Sequence, residues 1–180
     1  EVTAGQGIAY SLFYDGRLLL KPSRIALHTD LPEADHWENI RITGTKQRHV
    51  SETVQAPFYR VKEFGIDCNE LELRLNNGFS LLMRAYNDGM AYRFVAGRKG
   101  EMTVVEERAE FNFADDFEAY IPYSTNPKDP WNMAFQNFYT KAPLTQYNTE
   151  LPAFLPLTVD AGAVKLTLLE SDLEAYPGMF

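Results

Sequence analysis

The sequence predicts an all-β fold, an antiparallel β-sandwich, on three observations. Four short turns stand between apolar runs: "YDGR" at 14–17, "NNGF" at 76–79, "NDGM" at 87–90 and "DAGA" at 160–163. Asn-Gly and Asp-Gly pairs supply the positive φ values that tight hairpins require. The flanks alternate with period two: in "CNELELRLNNGFSLLMRAYNDGMAYRFVAG", Leu71, Leu73 and Leu75 fall on one face and Glu70, Glu72 and Arg74 on the other. That is the pattern of a strand with one wet face. Finally, no capped helical stripe is present, apart from a short turn near 133–140.

Strands are expected at 8–14 and 17–20 around the first turn, then at 24–28, 39–45 and 58–64. A three-strand meander follows, in which Leu71, Leu73 and Leu75 are repeated by Phe79, Leu81 and Met83 and then by Tyr92 and Phe94. Further strands are expected at 102–106, 108–113, 118–122, 152–159 and 163–170. These are too many for one flat sheet, and two sheets packed face to face bury the alternating inward residues of both. At 180 residues the chain is long enough for one domain with a sizeable core and short for two, so residues 1–180 read as a single β-sandwich domain. The one long irregular piece is 123–150, and loops of that length in compact domains are more often functional than idle.

Composition narrows the function classes. The chain is 45% hydrophobic and 23% charged, which is globular. A net charge of −8, with no basic cluster beyond pairs such as Arg98-Lys99, removes the electrostatic drive for binding nucleic acid or an anionic membrane. No apolar run approaches the ~20 residues of a membrane helix and no leader is visible; export would require that a leader has been removed. The single cysteine, Cys68, rules out an internal disulfide and a multi-cysteine zinc site. It follows Asp67, whose charge opposes a thiolate, and reads as a small buried hydrophobe.

Few residues carry chemistry. His28, His36 and His49 lack zinc-site spacing. No serine has a nucleophile-elbow context, and no glycine-rich phosphate loop exists. The pairs Glu106-Glu107 and Asp115-Asp116 read as solvated edges. In "LTLLESDLEAYPGMF", alternation would place Glu170, Asp172 and Glu174 on one side, yet calcium takes 6 to 8 oxygen ligands and one strand cannot supply them. The aromatics Tyr123, Trp131, Phe135, Phe138, Tyr139 and Tyr147 offer either a sugar-stacking surface or a satellite core under the long segment. The last stretch leaves a strand through a turn without returning, so the chain is expected to be part of a longer one.

Four stretches in order, "YDGRLLLKPSRIAL", "LLMRAYNDGMAYRF", "AYIPYS" and "LPLTVDAGAVKLTLLESDLEAYPGMF", resemble the N-terminal domain of glycoside hydrolase family 97, which includes α-glucosidases and α-galactosidases. The resemblance covers nearly the whole chain. It implies a super-sandwich similar to the galactose-mutarotase fold, of which this chain would be a truncated part, followed by a C-terminal (β/α)₈ barrel that carries both catalytic groups. No catalytic residue then lies in 1–180. It further implies a calcium ion bound mainly by the barrel, with one ligand from a segment like "HEAxLxDYxGM"; here "LESDLEAYPGM" puts Glu170 at that position. Asp172 and Glu174 gain no such role. One departure is visible: where the family often has Tyr-Glu-x-x-Tyr, this chain has Phe135 and Gln136.

The reading is therefore the non-catalytic N-terminal part of an exo-acting, calcium-dependent, periplasmic or secreted α-glycosidase. Its partners would be the catalytic domain of the same polypeptide and, through the complete enzyme, an oligosaccharide, with no nucleic acid and no membrane. The rival reading is a free-standing β-sandwich that binds carbohydrate or protein.

Overall fold

The structure, a computed structural model, describes residues 1–132, 136–171, 173, 176 and 178–179. It is built almost wholly of antiparallel strands: β1 (Val2–Gly5), β2 (Gly7–Tyr14), β3 (Arg17–Thr29), β4 (Ile42–Gln55), β5 (Glu63–Leu75), β6 (Phe79–Ala85), β7 (Met90–Ala96), β8 (Val104–Ala109), β9 (Glu118–Ile121), β10 (Thr140–Pro143), β11 (Leu157–Asp160) and β12 (Lys165–Leu168). They form three four-stranded sheets, ordered β1-β2-β3-β8, β4-β5-β6-β7 and β10-β9-β11-β12. The chain divides into two compact units, one of 1–12 with 21–112 and one of 13–20 with 113–180.

Local chemistry explains the hairpins. Asp15 and Gly16 both take positive φ, 48° and 73°, so the β2–β3 connection is the two-residue turn whose twist matches its strands. Between β5 and β6, Gly78 at φ 85° closes a three-residue loop, and Asn77 braces it by accepting the Phe79 N–H at 3.2 Å.

The first unit is a sandwich. Ile8, Ile25, Ile40, Leu73, Phe79 and Leu81 are buried between its two sheets. Trp37 ties them: its ring lies 6.0 Å from Phe79 and 5.2 Å from Phe94, while its indole N–H donates to Leu27 O at 3.0 Å. A buried tryptophan needs such an acceptor. Tyr10 meets Tyr92 across the same space at 5.9 Å and donates its hydroxyl to Glu110 O.

Several expected boundaries shift. Strands 17–20 and 24–28 are one continuous β3, and 102–106 with 108–113 collapse into β8. The expected strand at 58–64 is mostly turn, and β5 begins at Glu63. Strand β4 runs ten residues past the expected 39–45, and β1 and β10 were not expected at all. The helical turn expected near 133–140 falls partly on Met133–Phe135, outside the described residues; 136–139 are irregular, and the one 3₁₀ turn among the described residues is Leu144–Gln146.

Residues 46–55 of β4 were missed for a physical reason. Its partner β5 pairs with β6 only from Asn69 to Arg74, so Val50–Gln55 and Glu63–Cys68 pair with each other alone. At this point the apolar face changes side. Leu71, Leu73 and Leu75 point to the sandwich core, whereas Phe64, Ile66 and Cys68, with Val50 and Val54 opposite, have the other parity. The register from Gly44–Arg74 to Gln55–Glu63 has no bulge, so this is a true change of face. Cys68 is 3% exposed, as expected of a small buried hydrophobe.

Glu70 marks the changeover. It pairs across the sheet with Arg48 and Arg84, whose Nε atoms donate to its two oxygens at 2.5 and 2.8 Å. These bonds, Arg48's first, hold its pKa down from 4.5 to about 2. A carboxyl depressed on folding stabilises the fold above pH 4.5 and loses that contribution as pH falls toward 2. Glu70→Gln should therefore flatten the fall in stability between pH 4.5 and 2 relative to the unaltered chain, read as urea unfolding midpoints at several pH values.

Candidate functional site

The second unit holds most of the candidate residues. Strand β9 is central in its sheet, paired with β10 and β11, and β12 forms an edge against β11. Ala119, Ile121, Tyr123, Ala153 and Val159 form its buried core, with Phe113, Phe117, Leu144, Tyr147, Leu151 and Leu157 packed around it. A four-residue strand such as β9 reads as alternating only because Ala119 and Ile121 turn inward while Glu118 and Tyr120 stay half-exposed.

The long segment 123–150 is anchored rather than loose. Tyr123 stacks against Tyr147 at 5.4 Å, and its hydroxyl accepts the Asn148 N–H at 2.7 Å. Asn137 donates to Tyr123 O at 2.6 Å, and the buried Ser124 hydroxyl donates to Pro130 O at 3.1 Å. Asp116 accepts both the N–H and the hydroxyl of Thr145, at 2.9 and 2.8 Å. The aromatics thus divide between the two readings left open by the sequence. Tyr123 and Tyr147 belong to the core, while Trp131, edge-on to Phe154, is 55% exposed and Phe138 is 99% exposed. Tyr139 is also exposed, and Phe135 lies outside the described residues.

The histidines do not come together. His28 contacts Asp35 at 2.7 Å and His49 approaches Asp67 at 3.6 Å, on β3 and β4 respectively. Among the described residues, no three His, Cys, Asp or Glu side chains converge as a metal site. Asp115 and Asp116 are exposed, but Asp116 is a clasp for Thr145 rather than a purely solvated edge. Glu106 lies on β8 opposite His28.

Glu170 follows the edge strand β12 by two residues and is half-buried. Its Oε2 accepts the Met179 N–H at 2.6 Å. Among the described residues no hydrogen bond reaches Oε1, so none of them engages the second oxygen of the carboxyl. That is a donor of the kind calcium prefers, and it is one of the 6 to 8 such a cation needs. Among the described residues Glu170 could supply one such ligand, and no group of three acidic, His or Cys side chains completes a shell around it. Asp172 and Glu174 lie outside the described residues. Sequence reasoning missed the Met179 amide because a backbone donor leaves no mark in side-chain chemistry.

Three antiparallel sheets in two compact units define an all-β domain of the sandwich class. Solved structures share this fold. A β-arabinopyranosidase superposes with a TM-score of 0.74 at 21% identity, covering 88% of this chain and 27% of its own. A glycoside hydrolase family 97 enzyme from Pseudoalteromonas sp. strain K8, solved with panose, gives 0.70 at 16% identity, covering 88% and 24%.

All 180 residues match the family described as glycosyl-hydrolase 97 N-terminal, and the chain belongs to that family. A retaining alpha-galactosidase of Bacteroides thetaiotaomicron is 39% identical over 99% of this chain and 28% of its own length. A probable retaining alpha-galactosidase of Streptomyces bingchenggensis is 27% identical over 73% of this chain and 21% of its own. The chain thus spans 28% and 21% of the length of these relatives.

Removing the Tyr123 hydroxyl tests how firmly the long segment is held. Tyr123→Phe leaves the Asn148 N–H without its acceptor and should cost about 1–3 kcal/mol in urea unfolding, with faster proteolytic cleavage within 124–150.

Proposed function

We propose that this chain is the non-catalytic N-terminal part of an exo-acting α-glycosidase that releases terminal α-galactosyl residues, with α-glucosyl residues the alternative substrate class. The observation that carries this is the 39% identity with a retaining alpha-galactosidase along 99% of the chain. The chain spans 28% of that relative's length. Catalysis, which needs two carboxyl groups set across a sugar pocket, is assigned to the remainder of such a polypeptide, and this domain supports it.

Glu170 is the residue of this chain assigned to a calcium ion shared with the catalytic domain. The half-buried position, and an Oε1 that no described residue hydrogen-bonds, support that role. Bound there, calcium would fix the geometry of the two domains and supply positive charge near the leaving group. The chain's own contribution is to hold a charged oxygen in a fixed direction. A periplasmic or secreted location goes with this reading. The exposed Trp131 and Phe138 favour a second, separate reading, in which the long segment binds a sugar without any catalytic partner.

The test uses the full-length polypeptide that carries residues 1–180, assayed on p-nitrophenyl α-galactoside and α-glucoside. EDTA should abolish hydrolysis and calcium restore it, and Glu170→Gln should lower kcat/KM about tenfold or more. A folded, calcium-loaded protein that cleaves neither substrate would transfer the assignment to the sugar-binding reading.

A further inference from the structure

We infer that the backbone amide of Met179 is the positioning group of Glu170: it fixes Oε2 and thereby aims Oε1 at the cation. This rests on the calcium role given to Glu170 above. The geometry behind it is local. After Leu168 the chain leaves β12, Leu169 turns outward, and Glu170 turns half inward. Nine residues later the chain returns, and the Met179 N–H meets Oε2 at 2.6 Å.

A glutamate just past the end of an edge strand has three side-chain torsions, and outside the strand no sheet pairing fixes the backbone they spring from. Without a partner it would sample many rotamers, and a cation would have to select one and bear the ordering cost. A donor that holds one oxygen removes most of that freedom in advance. The choice of donor matters as much as its presence. A guanidinium or ammonium would neutralise the carboxylate and compete with the cation, whereas a backbone N–H orients it and leaves its charge in place. Glu70 shows the contrast in the same chain, since two arginines occupy both of its oxygens.

An amide that served only to close the turn would predict something different. Losing it would then lower stability with or without metal and leave calcium affinity in the folded protein unchanged. The two roles separate when binding and stability are measured independently.

The experiment uses the full-length polypeptide freed of metal with EDTA, with the calcium Kd measured by isothermal titration and melting temperature measured in EDTA. Met179→Pro removes the N–H, and Met179→Ala keeps it while deleting the side chain. The proline variant should raise Kd about 10- to 100-fold, the usual effect of removing a hydrogen bond behind a metal ligand, with the alanine variant at the wild-type value. Both should melt like wild type in EDTA. Should the proline ring itself disturb the fold, the α-hydroxy analogue of methionine at 179, which replaces the N–H by an ester oxygen, decides by the same Kd. The inference is overturned if Glu170→Gln raises Kd while neither N–H-deleting variant does, or if Met179→Ala weakens binding as much as Met179→Pro. A Glu170→Gln protein that binds calcium as tightly as wild type overturns the calcium role itself, which is a different failure.

Discussion

Trp37 is where the first unit is held together. Its ring reaches Phe79 and Phe94 on one sheet and its indole N–H reaches Leu27 O on the other, so a single side chain supplies both apolar contact and a directional bond between layers. Two sheets that met only through interchangeable aliphatic residues could slide; a hydrogen bond to a named carbonyl fixes their offset. The alignment of the alternating residues in β3, β5 and β6 depends on that offset. Tyr10, anchored through its hydroxyl to Glu110 O, repeats the arrangement against Tyr92.

Two glutamates illustrate how the same functional group is given opposite roles. Glu70 has cationic donors on both oxygens, its charge is cancelled, and it serves the sheet. Glu170 has a neutral backbone donor on one oxygen, an arrangement that does not set a cation against the carboxyl, and it is the residue we propose for the metal. Both are partly or wholly shielded from water, so burial does not separate them. The identity of the donor does. Sequence reasoning came to Glu170 through a family resemblance and left Glu70 as one of several outward-facing charges, because cross-strand partners 22 and 14 residues away are not visible until the register is known.

How far the sequence could be read follows the same line. Turns at 14–17, 76–79 and 160–163 were legible because Asn, Asp and Gly announce positive φ by their own chemistry, and the β5–β6–β7 meander was legible because one face is apolar. Residues 46–55 of β4 were not, because "KQRHVSETVQ" is an edge whose few apolar residues, Val50 and Val54, face away from the sandwich core. The joining of 17–20 to 24–28 was hidden by Pro22, which tolerates extended backbone although it ends most strands. At the candidate site the carboxylate was legible and its amide partner was not.

The unbroken pairing of β4 with β5 also restricts how this hairpin can vary in length. Because side chains alternate and two opposite faces are apolar in two successive stretches, inserting one residue into either strand would turn Leu71, Leu73 and Leu75 or Phe64, Ile66 and Cys68 to the wrong side. Length can then change by an even number of residues in a strand, at the 56–62 connection, where no alternation is imposed, or through a bulge such as the register shift between Ile42 and Gly44. Elsewhere in its length the hairpin is in effect a ruler marked in steps of two.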